Sequence, residues 1–181
     1  EDLSPCGVYP VEKLRKCAAD RKYDGLPQTL KDALDELEKQ LSLRVDPLEI
    51  DARLDRAMYE TIFARLPKKN SAVRKYFTAR VDILNLVIAL RVLHMGKNAS
   101  FFESLLLPGG SIDKKEWLKG FEKPEKLPLL LNKYGQKVYN AAIAAQMDAG
   151  KIAALERAMD DCLLAVYLPY KSTMDSPQRL I

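Results

Sequence analysis

The sequence predicts an all-α protein, and three observations carry that expectation. Apolar residues recur at three- and four-residue steps over most of the chain. No run of five or more residues alternates as a strand would. One five-residue pattern occurs twice, each time inside a helical stretch. Leu54-Asp55-Arg56-Ala57-Met58 opens LDRAMYETIFARLP, and Leu155-Glu156-Arg157-Ala158-Met159 opens LERAMDDCLLAVYLP. Both stretches end at a proline, Pro67 and Pro169, and a serine follows each, Ser71 and Ser176. Self-similarity at a fixed offset says that one structural unit is used more than once. The expected organisation is the end of a preceding lobe or connector over 1–50, a central helical lobe over 51–150, and the start of a further lobe over 151–181. The second copy stops where its second helix should begin, so the chain reads as part of a longer, repeat-built protein.

Each element has a local signal of its own. Tyr9-Pro10 can start a short helix, because proline suits a helix start. Asp24-Gly25-Leu26-Pro27 is a turn. Beyond it Leu30, Leu34, Leu37 and Leu41 form one apolar stripe, which predicts a helix over 28–43. Asp46, Pro47 and Glu49 make a capping signal for a helix over 47–66. From Ser71 to His94 runs the longest helix. Its second half, VDILNLVIALRVL, is apolar nearly all round, which is the mark of a buried helix. Three polar residues interrupt it: Asp82, Asn85 and Arg91. Burying such groups is costly unless they are paired, so all three are expected to sit in a hydrogen-bonded network that ties the helix to its neighbours.

Gly96 is a helix stop. Ser100 and Glu103 have the spacing of a capping box for a short helix, FFESLLL. Leu107-Pro108-Gly109-Gly110-Ser111 is a turn, with Ser111 expected to cap the next short helix, which Trp117 anchors. Gly135 and Gly150 punctuate the rest of the chain. Ile152, Leu155, Met159, Leu163 and Val166 form the stripe of a last helix over 151–168. With no companion helix after it, that stripe must pack on the other lobe, stay exposed or pair with another chain; contact with a neighbouring molecule, and so self-association, or disorder beyond Pro169 is expected.

Composition excludes several function classes. Lysine and arginine total 29 against 25 acids, a net charge of +4, without the steep clustered excess of a nucleic-acid binder. His94 is the single histidine and lies in an apolar run, so a packed or capping role is expected of it. Cys6, Cys17 and Cys162 are scattered, with no C-x-x-C pair, which argues against a metal site and fits reduced thiols. Asn98-Ala99-Ser100 matches a glycosylation sequon, but nothing signals secretion. No stretch of about 18 apolar residues is present to span a membrane. The double glycine lacks the G-x-G-x-x-G spacing and follows no strand. No nucleophile motif, H-E-x-x-H or phosphate loop occurs. No catalytic, cofactor-binding or metal-binding residue is assigned.

Several of these segments together resemble a known family. Leu54-Asp55-Arg56 with Tyr59 looks like a helix of the C subunit of V-type/A-type ATPases, whose eukaryotic counterpart is subunit d. Asp82-Ile83-Leu84-Asn85-Leu86 with Arg91 resembles that family's D-x-x-N-L-x-x-x-x-R helix. Phe101-Phe102 through Leu107-Pro108-Gly109-Gly110 resembles the turn after it. Leu155-Glu156 with Asp160 is similar to the start of its third lobe. Ser4-Pro5-Cys6-Gly7 and Leu26-Pro27 fall in the family's order. The resemblance implies a funnel of three helical lobes with no catalytic site and no cofactor. It also implies a place between the rotating central shaft (subunits of D and F type) and the membrane proteolipid ring, on the cytoplasmic side and peripheral to the membrane. There the funnel couples ATP turnover to proton or sodium transport. The alternative from the residues alone is a helical adaptor or scaffold for protein partners. A small all-helical enzyme whose site forms only between chains is the third class.

Overall fold

A computed structural model describes residues 9–40, 47–67 and 71–165. Every regular element among them is a helix, so the fold is all-α. The chain divides after Thr61, inside its third helix, into two compact units.

In the first unit, α1 is Val11–Asp20, α2 is Gln28–Gln40, and α3 is Pro47–Arg65, which runs on past the division. Pro10 directly precedes α1, and Arg21 in the left-handed region ends it. No residue of α1 is fully buried. Tyr23 Oη donates to Glu38 Oε1 at 2.5 Å, and Leu37 is the fully buried residue of the α2 stripe. Leu41 and the rest of the expected 28–43 helix lie outside the described residues, as does Asp46. Pro47 is the first residue of α3, and Glu49 pairs with Arg53 at 2.9 Å.

The second unit holds α4 (Ala72–His94), α5 (Ala99–Leu105), α6 (Lys114–Glu122), a 3-10 helix η1 (Pro124–Tyr134), α7 (Gln136–Met147), a single 3-10 turn, and α8 (Ile152–Ala165). Ser71 starts α4, its Oγ accepting from Arg74 N. From Val81 to Val92 the helix is buried almost throughout, as its all-round apolarity predicts. It packs against α5, η1 and α8, while α7 lies chiefly on α8 and η1. Gly96, at φ +65°, stops α4. Lys97 N bonds Val92 O and Gly96 N bonds Leu93 O, so the last carbonyls are satisfied as in a Schellman motif. Phe102 and Phe121 stack at 4.7 Å, which joins α5 to α6.

Two expected caps move. α5 begins at Ala99, and Asn98 Oδ1 caps it by accepting from Phe101 N at 2.9 Å. Asparagine is a strong N-cap and sits two residues ahead of Ser100, so the expected Ser100–Glu103 box does not form; Glu103 pairs instead with Lys114 at 2.6 Å. Ser111 does not cap α6, whose N-cap is Asp113, because the Ser111 hydroxyl is taken by Asp82.

The stripe of α8 is also placed differently from expectation. Ile152, Leu155, Met159 and Leu163 are already buried within this unit. Packing against α7 and α4 covers what a second chain was expected to cover, so the ground for self-association through this stripe is removed. Val166 lies outside the described residues.

Candidate functional site

The polar centre of the second unit starts from two residues one turn apart on α4. Asp82 and Asn85, three positions apart, share a helix face. That face looks onto the connection between α5 and α6. The Asn85 amide pairs with the backbone of Leu107 in both directions: Nδ2 donates to Leu107 O at 3.1 Å, and Leu107 N donates to Oδ1 at 2.8 Å. One side chain thus satisfies two buried backbone groups that lie beyond the end of α5.

Asp82 has no solvent exposure and gathers five donors. Ser111 N and Ile112 N donate to Oδ1 at 2.8 and 3.2 Å. Ser111 Oγ, Lys133 Nζ and Tyr134 Oη donate to Oδ2 at 2.6, 2.9 and 2.7 Å. Lys133 also donates to Ser111 Oγ. The carboxylate therefore ties α4 to the α5–α6 connection and to the end of η1. Burial, and then the hydrogen bond to Asp82, raise the Tyr134 phenol far above its ordinary range, so it stays a proton donor.

The double glycine lets the connection pass close to two neighbours, the Phe63 ring and the Asp82 carboxylate. Gly109 has φ +94°, and a Cβ there would stand 2.2 Å from the Phe63 ring. A Cβ on Gly110 would stand 2.4 Å from Asp82 Oδ1. The backbone must pass this close for Ser111 and Ile112 to reach the carboxylate. The turn serves as a helix–helix connection.

Arg91 does not join the set. It is exposed and pairs with Glu156 of α8 at 3.0 Å, correcting the expectation of a buried arginine. The reason is angular: nine residues after Asp82 is about two and a half turns, which puts Arg91 on the opposite side of the helix. His94 likewise reaches across, its Nε2 lying 2.9 Å from Ala145 O of α7. Ser111, Lys133 and Tyr134 were not anticipated. The signal for them was weak, since they lie 29, 51 and 52 positions from Asp82.

This arrangement ties three segments of the unit together. The serine, lysine and tyrosine all direct their donors at one carboxylate. Burial pushes the Cys162 thiol up, and it donates to Tyr134 O at 3.4 Å, which leaves a poor nucleophile. Among the described residues no group of three or more His, Cys, Asp or Glu side chains could hold a metal. No described helix is long and apolar enough to cross a membrane. A shallow depression of about 400 Å³ between α7 and α8 is lined by Lys137, Arg157, Asp160, Asp161 and two alanines. Four of its six lining residues are charged, and the two alanines supply no large apolar wall such as ligand pockets have.

Comparison with known proteins agrees with the resemblance carried by Asp82, Asn85 and the Leu107–Gly110 turn. No curated protein and no solved structure matches the chain. The family described as ATP synthase (C/AC39) subunit matches residues 1–180. The chain belongs to the ATP synthase (C/AC39) subunit family.

Proposed function

We propose that this chain is a non-catalytic connecting subunit of a V/A-type rotary ATPase. It joins the rotating central shaft to the membrane proteolipid ring, on the cytoplasmic side, and so couples ATP turnover to proton or sodium transport. The observation that carries this reading is the family match across residues 1–180. The physical character of the second unit supports it. A part that transmits torque must resist deformation, and close-packed interiors do so. Here the second half of α4 is buried almost throughout, and two of its side chains bond the glycine-rich connection. The set of donors around Asp82 supports a structural role for that carboxylate rather than a catalytic one.

The test is assembly. The purified chain is mixed with shaft subunits of D and F type from the same complex, and the mixture is sedimented. A stoichiometric complex is expected. Adding the chain to a complex stripped of it should restore ion transport driven by ATP hydrolysis. Failure to bind the shaft, together with full coupling in its absence, would refute the reading.

A further inference from the structure

The segment η1 is wound as a 3-10 helix for eleven residues, Pro124–Tyr134. Runs beyond three or four residues are uncommon, because the hydrogen bonds are poorer and side chains at i and i+3 eclipse. Burial along η1 follows that threefold winding. Lys126, Leu129 and Asn132 make one exposed side, while Leu127, Pro128 and Leu131 are buried. The two remaining sides end at Lys133 and Tyr134, and both reach the same atom, Asp82 Oδ2.

That double contact depends on the winding. A 3-10 helix turns about 120° per residue and rises about 2.0 Å, against about 100° and 1.5 Å in an α-helix. Pro128 is disfavoured inside an α-helix but suits its first position. If α-helix ran from Pro128 to Tyr134, six steps would swing Tyr134 through about 120° and shorten the segment by about 3 Å. Neither residue would then keep its bond to a carboxylate fixed on α4. The geometry points to a latch. We propose that Asp82 holds residues 128–134 in the 3-10 form, and that release lets them rewind as α-helix, turning α7 relative to η1. Gly135, at φ +98°, forms the joint between them, and Lys133, 42% exposed, is the part of the latch that solvent reaches. The device stands on this unit's own geometry and does not depend on the rotary reading.

Nuclear Overhauser contacts distinguish the two windings in the intact chain. The wild type is expected to show Hα(i)–HN(i+2) contacts through Leu129–Tyr134 and no Hα(i)–HN(i+4) contacts. In Asp82→Asn, contacts from Pro128 to Asn132, Leu129 to Lys133 and Leu130 to Tyr134 should appear as the i+2 set fades. Retention of the i+2 pattern would overturn the proposal. Loss of both patterns with fast amide exchange would also overturn it, because the segment would merely fray. If Asp82→Asn does not fold, Lys133→Gln combined with Tyr134→Phe decides alone, since Ser111 and Ile112 still satisfy the carboxylate there.

Discussion

Replacing Asp82 with alanine tests what a fully buried carboxylate is for. In the variant, five donors lose their acceptor. They do not lose it equally. Lys133 and the Ser111 hydroxyl belong to exposed residues and can turn to water at little cost. The Tyr134 hydroxyl and the N–H groups of Ser111 and Ile112 are harder to hydrate, and each buried donor left dry costs about 1–3 kcal/mol. Three such donors put Asp82→Ala at about 3–5 kcal/mol, the low end of their combined range. For a chain of this size each kcal/mol lowers Tm by about 2–4 °C, so the fall should be about 6–20 °C. Lys133→Met is the control. Its ammonium is partly solvated, and four donors remain on the carboxylate, so the loss should be about 1 kcal/mol. Urea unfolding followed by circular dichroism measures both. If Lys133→Met costs as much as Asp82→Ala, the ion pair is the main interaction and the loop clamp is secondary. If Asp82→Ala costs under about 1 kcal/mol, the clamp is not a stabilising device at all.

Further outcomes rest on the same geometry. Asn85→Leu strands both backbone groups of Leu107 and should cost about 1–3 kcal/mol in urea unfolding, unless the connection shifts to reach water. Gly109→Ala meets both a left-handed φ and the Phe63 ring, so it should destabilise by about 1–3 kcal/mol, whereas Gly96→Ala, whose Cβ meets nothing within 4 Å, should show only the smaller backbone part. Met58 and Met159 occupy equivalent places in the two five-residue runs but are 43% and 1% exposed. Met159→Ala should therefore cost about 2–5 kcal/mol and Met58→Ala within about 0.5. The hydrogen bond from Tyr23 to Glu38 raises the Tyr23 phenol to about 12. A folded-state value above the ordinary 10.0 stabilises the fold fully below that ordinary value, and the contribution is lost as pH rises through about 12. In alkaline titration by tyrosinate absorbance, Tyr23→Phe should remove a late step from the curve.

What the sequence showed and what it hid have the same physical root: the range of the interactions. Helices declare themselves within a few residues, so α4 was legible from Ser71 to His94, and its all-round apolarity announced burial. Asp82 and Asn85 stood out for the same reason, as polar residues where only apolar ones belong. Their partners did not, because Leu107, Ser111, Lys133 and Tyr134 are brought in by packing from 22 to 52 positions away. Arg91 could have been sorted by angle alone, since two and a half turns carry it off the face that Asp82 and Asn85 share. The expectation for α8 failed on a different point. A pattern shows that a stripe must be covered, but not by what, and α7 was already available to cover it. The two five-residue runs make the limit plain. They are nearly identical as local helix signals, yet one methionine is buried and its counterpart is not. A repeat read from sequence therefore fixes the helix and leaves its surroundings open, and it is in the surroundings, at the Asp82 clamp and along η1, that this chain has its distinctive chemistry.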